Sequence, residues 1–237
     1  MRIGVFSDIH ANWQALDAVL EDCPAVDETI CLGDVVGYGG DPKRCLDYVR
    51  RQGWLTLVGN HDRACTDPEI LQWFNEEAAI AIRWTVSVLE ADDLGWLKAL
   101  PETHVKEDVL LVHASPREPI YEYVLDAGTA EANLQLLQDR VCFHGHTHVP
   151  GIFYFNGGSV AHEYRLGVAG YQGPMLINPG SIGQPRDAVP DASYGVWDTD
   201  SQTFEFRRVA YDREGAKRAI TEAGLPERFA ARLDYGR

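Results

Sequence analysis

Five small polar clusters lie between Asp8 and His148: Asp8-Ile9-His10, Gly33-Asp34, Gly59-Asn60-His61-Asp62, His113 and Gly145-His146-Thr147-His148. Four of them directly follow an apolar run that reads as a β-strand. Nothing else in the chain constrains its fold as tightly. In open α/β sheets, ligand-binding groups gather at the carboxyl ends of strands. Asp8, Asp34, Asn60, His113 and His146 all take that position, and so many placements of one kind are hard to reach by chance. Asp8 and His10 are two residues apart, as are His146 and His148, so an extended backbone points each pair one way.

The runs between the clusters set the architecture. Arg2 to Phe6, Thr29 to Leu32 and Trp54 to Val58 read as strands. Helices from Asn12 to Glu21 and from Pro42 to Gln52 separate them, the second with Pro in its first turn. This alternation predicts parallel βαβ units. Asp67-Pro68 opens a short helix, Asn75 to Leu89 carries apolar residues at helical spacing, and Ala91 to Leu100 continues helical. After Pro101 the pattern turns β-rich. Thr103 to Lys106 and Val109 to Val112 predict a hairpin across Glu107-Asp108, followed by a helix from Thr129 to Leu137 and a strand from Val141 to Phe143. Short strands follow at Ile152–Phe155, Val160–Leu166, Pro174–Ile177, Tyr194–Trp197 and Thr203–Arg208. The chain closes on helices Arg213–Ala223 and Pro226–Leu233.

There is no internal repeat and no Gly/Ser linker, and the clusters spread over both halves, so residues 1–237 read as one domain. The expected fold class is α/β: a four-layer αββα sandwich of two mixed β-sheets flanked by helices. Strands and helices from about residue 190 are expected to complete the second sheet and the outer layer.

Composition narrows the partners. A net charge of −15 argues against gripping a nucleic-acid backbone, which needs clustered Lys and Arg. An acidic chain can still attract a phosphate where metal ions dominate the local field. Cys23, Cys31, Cys45, Cys65 and Cys142 form no CxxC pair and are odd in number, which favours reduced thiols in a cytoplasmic protein. The first residues already form a strand running into a cluster, so no signal peptide is expected. No apolar run approaches the roughly 20 residues of a membrane span, so no membrane partner is expected.

Two Asp, one Asn and several His make a mixed oxygen and nitrogen donor set. It suits Mn²⁺, Fe, Zn²⁺, Co²⁺ or Ni²⁺ better than Ca²⁺, and it is large enough to hold two ions in a shared site. That points to hydrolysis by a metal-bound hydroxide.

In order and spacing, the blocks Asp-x-His, Gly-Asp, Gly-Asn-His-Asp, a lone His after a strand and Gly-His-Thr-His resemble those of the calcineurin-like metallophosphoesterases. The resemblance covers roughly residues 1–185. Asn178-Pro179-Gly180-Ser181 with Gln184-Pro185-Arg186 also resembles the small phosphodiesterase branch of bacteria and archaea. The resemblance implies that Asp8, His10 and His148 bind one metal ion, that Asn60, His113 and His146 bind a second, and that Asp34 bridges them. A carboxylate has lone pairs enough for that. It implies two divalent ions, manganese foremost, with iron, zinc, nickel or cobalt as alternatives. These would share a bridging hydroxide for in-line attack on phosphorus. His61 would face the substrate and protonate the leaving oxygen, with Asp62 orienting it. The implied substrate is a small phosphoester or nucleotide, cleaved by a phosphodiesterase or nucleotide phosphohydrolase. The alternatives are a phosphomonoesterase, a phosphoprotein phosphatase or a dinucleoside polyphosphate hydrolase.

Taken singly, the same residues have plainer readings. Asp8 alone would be a helix cap, Asp34 and Asn60 turn residues, and His113 a satisfied core histidine. His144 reads as a strand residue or a hydrogen-bond donor behind the ligands, and His104 and His162 as surface residues. Arg63 and Arg186 are candidates for contact with substrate phosphate, which Arg recognises bidentately. Trp73, Phe74 and Trp84 read as core or lid packing. Gly33, Gly37, Gly59 and Gly145 are expected in tight turns beside the metals. A non-catalytic scaffold on this fold would have lost ligands, whereas this chain keeps them. Other binuclear folds fit less well: Val149-Pro150 follow His148 where a β-lactamase-like site wants Asp-His, and Asp8-Ile9-His10 stands where an amidohydrolase barrel wants His-x-His.

Overall fold

Strand β1 (Arg2–Phe6) shows why this chain builds four layers. Ile3 and Val5 point one way, into an apolar cluster with Val109, Leu111, Phe143 and Ile177. Phe6 points the other way, into a cluster with Leu16, Val19, Leu46 and Val49. A strand whose two faces are both apolar must be covered on both sides. Burying each Leu, Ile or Phe side chain contributes about 1.5–3 kcal/mol.

The structure is a computed structural model that describes residues 1–164 and 166–237. After β1 come α1 (Trp13–Asp22), β2 (Glu28–Cys31), α2 (Pro42–Gln52), β3 (Leu55–Thr56) and α3 (Asn60–Thr66). A 3-10 turn, Pro68–Trp73, leads into α4 (Glu76–Val88) and α5 (Ala91–Lys98). The β-rich half follows: β4 (Thr103–Lys106), β5 (Val109–Val112), α6 (Ala127–Leu137), β6 (Val141–Phe143), β7 (Gly151–Asn156), β8 (Ser159–Glu163), β9 (Gly167–Gly170) and β10 (Met175–Asn178). The chain ends with β11 (Ala192–Asp198), β12 (Thr203–Val209), α7 (Arg213–Glu222) and α8 (Glu227–Ala231).

The strands form two mixed six-stranded sheets, ordered β3-β2-β1-β11-β12-β9 and β4-β5-β6-β10-β7-β8. This is the αββα sandwich that the sequence leads one to expect. Helices α1 and α2 cover the outer face of the first sheet. On the second, Ala130, Leu134 and Leu137 of α6 pack against Val112, Cys142, Phe153 and Leu176. β1, β2 and β3 run parallel to one another, as do β5, β6 and β10. All the polar clusters leave the carboxyl ends of these parallel strands.

Some elements differ from expectation. β11 and β12 join the first sheet rather than the second, because β11 pairs antiparallel along β1 and is itself buried along most of its length. β3 is shorter than Trp54–Val58: Val58 N donates to Pro101 O at 2.9 Å and leaves the ladder. The strand expected over Val160–Leu166 ends at Glu163, and Arg165 lies outside the described residues. β9 was not foreseen, since Gly167-Val168-Ala169-Gly170 has little strand propensity; pairing with β12 makes it one. The hairpin of β4 and β5 turns at Glu107 and Asp108, with φ of 49° and 64°, as a two-residue turn with two left-handed residues requires. The five cysteines are unpaired, and no described helix is long and apolar enough to cross a membrane.

Candidate metal centre

The segments that leave these strands turn sharply. Asp8, His10, Asp34, His146 and His148 have φ of 54°, 48°, 55°, 64° and 59°, the left-handed region that residues with a Cβ enter at a cost. Backbone hydrogen bonds stitch the turns together. Asp8 N donates to Gly33 O at 3.0 Å, His10 N to Asp34 O at 2.9 Å, and Gly145 N to His113 O at 2.7 Å. Gly59 packs so closely that a Cβ there would lie 2.0 Å from Asp34 Oδ1. The side chains are thus aimed by a fixed backbone.

Four buried imidazoles meet at these turns, and the position of each proton can be read. His10 Nδ1 donates to Val36 O at 3.2 Å, His113 Nδ1 to Leu32 O at 3.0 Å, and His148 Nδ1 to Gln184 O at 2.6 Å. His146 donates through Nε2, to Tyr121 O at 3.1 Å. A carbonyl oxygen only accepts, so the proton sits on the nitrogen facing it. Burial holds all four rings below the usual histidine range, His148 at about 4, so they are neutral. Each inward nitrogen is therefore a bare lone pair. His10 Nε2 and His148 Nε2 lie 3.0 Å apart. His113 Nε2 lies 3.2 Å from His146 Nδ1 and 3.2 Å from Asn60 Oδ1. Lone pairs that close repel unless a cation lies against them. Rear hydrogen bonds of this kind are also what orient metal-binding histidines, so the donor set fits divalent metal.

Asp34 stands between the two groups. Its Oδ2 is 3.5 Å from His10 Nε2 and 3.5 Å from His113 Nε2, while Oδ1 accepts from His61 N at 2.9 Å. Burial, with Asp62 and Asp8 nearby, raises its pKa well above the usual carboxylate range; a neighbouring cation reverses that pressure. Asp8 Oδ2 accepts from Ser7 Oγ at 2.6 Å and from His146 N at 3.1 Å. Asp8 Oδ1 is buried without a well-formed hydrogen bond, 3.2 Å from His148 Nε2. Donor atoms of Asp8, His10, Asp34 and His148 lie within 4.8 Å of one another, and so do those of Asp34, His113 and His146. The candidate ligands thus fall into two groups that share Asp34.

His61 is buried beside the cluster. Its ring centroid is 4.8 Å from that of His10, 4.3 Å from Tyr38 and 5.2 Å from Phe74. Its Nδ1 has no hydrogen-bond partner and is covered by Gly37, where φ is 90° and a Cβ would lie 2.4 Å from that nitrogen. Asp62 is not behind His61, contrary to expectation. Its carboxylate accepts from the backbone N–H of Gly59 at 3.1 Å, Val35 at 3.3 Å and Val36 at 3.2 Å. The reason is local: an acidic residue three positions into a helix reaches back to the N–H at the cap. Asp62 therefore clamps the Asp34 turn to the start of α3. Burial raises it to about 6 in spite of those hydrogen bonds.

The two arginines part ways. Arg63 pairs with Glu102 at 2.7 Å, and neither it nor Arg186 lines the cavity described below. Arg186 lies close enough to lower the pKa of both His61 and His148. Its Nη2 donates to Gln184 Oε1 at 2.8 Å, and its buried Nε has no acceptor. His144 lines a separate void of about 30 Å³ with Thr147, Asn178 and His162. His104 and His162 are exposed.

A cavity of about 510 Å³ opens over Asn60, His61 and His146, walled by Tyr38, Phe74, Tyr121 and Tyr123. The three tyrosines escaped the sequence reading. Tyr38 follows Asp34 by only a short loop, which was a usable signal; Tyr121 and Tyr123 sit in a loop with no motif. Trp73 also lines this cavity and is 82% exposed, so it is not core.

Comparison with known proteins gives a consistent result. The family model of the calcineurin-like phosphoesterase superfamily domain matches residues 1–202. An uncharacterized protein of Methanocaldococcus jannaschii is 38% identical over 242 residues, spanning 99% of this chain and 98% of that one. A crystal structure of a metallophosphoesterase from Sphaerobacter thermophilus is similar with a TM-score of 0.89 and 39% identity, covering 100% of this chain and 99% of that one. A hypothetical protein from Pyrococcus horikoshii OT3 shares the fold, with a TM-score of 0.81 at 18% identity over 100% of this chain and 98% of that one.

Proposed function

Because the chain belongs to the calcineurin-like phosphoesterase superfamily, we propose that it is a binuclear metal-dependent phosphoester hydrolase acting on phosphodiesters or nucleotides. The observation that carries this is the facing of neutral imidazole lone pairs, His10 on His148 and His113 on His146, about a shared carboxylate. Asp8, His10 and His148 would hold one divalent ion and Asn60, His113 and His146 the other, with Asp34 common to both and manganese foremost among the candidates. When bound, such ions neutralise phosphoryl charge and make water nucleophilic at neutral pH.

The remaining work belongs to side chains of this protein. Gly37 covers Nδ1 of His61, which leaves Nε2 as the nitrogen to hold a proton for the leaving oxygen. Burial and the charge of Arg186 hold the free ring well below the usual histidine pKa; an anionic phosphate beside it offsets both. Arg186, with an Nε that lacks an acceptor, supplies a donor for a phosphate oxygen. Asp62 keeps the Asp34 turn and the His61 helix in fixed relation.

Gly37→Ala tests the placement of His61. The new methyl displaces the ring, and kcat is expected to fall by about 10²-fold or more with metal content unchanged. Turnover within twofold of the parent protein would show that this packing does not matter.

The reading as a whole is tested by metal removal. Exhaustive chelation is expected to abolish hydrolysis of bis(p-nitrophenyl) phosphate, with Mn²⁺ among the ions that restore it. A ligand present at 100 times its Kd stabilises by about 2.7 kcal/mol, so Tm should drop by roughly 5–10 °C on chelation for a chain of this size. Full activity in protein shown by elemental analysis to be metal-free would sink the proposal. The same assay on a mono-aryl phosphate separates diesterase from monoesterase.

A further inference from the structure

The cavity over the cluster has two kinds of wall. Asn60, His61 and His146 form its polar end, and the rest is mostly aromatic, with Tyr38, Trp73, Phe74, Tyr121 and Tyr123 among its walls. No residue lining it carries a formal charge, in a chain with 36 acidic and 21 basic residues. Some of these rings are held by the fold. Tyr38 packs on His61 at 4.3 Å and on Phe229 at 5.0 Å, and Tyr123 lies 3.9 Å from His146 with the rings 31° apart. The outer rings are open: Trp73 is 82% exposed, Tyr123 46% and Tyr121 42%. Trp73 therefore lines the cavity with a ring that little else in the protein covers.

We propose that this aromatic vestibule is a subsite for a planar nucleobase or aryl ring carried by the phosphoester, with Trp73 and Tyr123 determining specificity. The inference rests on the phosphoester reading of the polar end. Continuity and charge name the occupant. A group between these rings shares one cavity with Asn60, His61 and His146, so it is attached to whatever those residues meet. The aromatic walls themselves carry no charged side chain, so a phosphate arm lying between them would lose water without a partner. A bare sugar phosphate would leave the aromatic faces wet. A base or aryl ring offers a π-face, and stacking on one aromatic side chain is worth roughly tenfold or more in affinity. A volume of about 510 Å³ falls in the range, ~300–1,000 Å³, of pockets that enclose small organic ligands.

The test compares ligands that differ only in the ring. The manganese-loaded protein is titrated calorimetrically with adenosine 5′-monophosphate and with ribose 5-phosphate. The nucleotide is expected to bind about 10-fold tighter or more. Trp73→Ala should shrink that ratio to within about threefold, and Trp73→Phe should restore most of it. Trp73 is exposed, so neither change threatens folding. Equal affinity of the parent protein for the two ligands overturns the subsite and leaves the phosphoester reading standing. Binding of neither ligand, with no hydrolysis of bis(p-nitrophenyl) phosphate, overturns the phosphoester reading and the subsite together.

Discussion

Asp34→Asn is expected to empty both metal positions at once. Oδ2 of Asp34 is 3.5 Å from His10 Nε2 in one group and 3.5 Å from His113 Nε2 in the other. An amide keeps the shape but loses the charge and one of the two carboxylate oxygens. Replacing a residue that merely supports a ligand typically costs about 10–100-fold in metal affinity, so loss of a donor shared by two ions should exceed about 10²-fold for each. Elemental analysis after dialysis should show metal content falling from two ions per chain toward none, and hydrolysis falling with it. Asp8→Asn provides the contrast, since Asp8 belongs to one group only. Retention of two ions by the Asp34 variant would remove this residue from the bridging position.

His61→Ala is expected to separate chemistry from metal binding. Neither ring nitrogen of His61 belongs to the two donor groups, and only its backbone N–H touches Asp34. Metal content should therefore stay at two ions per chain while kcat falls by about 10²–10⁴-fold, the usual worth of positioned proton transfer. The loss should depend on the leaving group. A p-nitrophenolate departs with little help, whereas an alkoxide needs the proton, so alkyl esters should suffer more. The same loss across leaving groups would mean that His61 positions the phosphate and donates no proton to the departing oxygen.

The donor groups were legible because each lies within a few residues of a strand end, so the strand pattern and the cluster order together placed them. Backbone turns then do the aiming, and those turns are written in the same short blocks. Asp62 was misread for the opposite reason: its neighbour in sequence is His61, but its neighbours in space are the N–H groups of Gly59, Val35 and Val36. Helical phase turned it away. Arg63 and Arg186 looked alike in the sequence; in the fold a half-buried Arg63 pairs with Glu102, far along the chain. The addition of β11 and β12 to the first sheet was equally out of reach, because long-range antiparallel pairing leaves no local signal. Tyr121 and Tyr123 belong to a loop whose path is set by packing, so the walls of the cavity could not be read where Asn60, His61 and His146 of its polar end could.

The left-handed turns at Asp8, His10, Asp34, His146 and His148 have a consequence for how this protein can change. Each such residue costs about 1 kcal/mol or more, and glycine would relieve the cost. Summed over the cluster, that approaches the net stability of an ordinary domain, about 5–15 kcal/mol. Exchange of any of these residues for glycine would therefore remove that local strain, whereas a β-branched residue would add to it. If these side chains hold metal as proposed, that demand is what keeps each strained residue in place, and a lineage released from it would change here first while the sandwich around the site stayed intact.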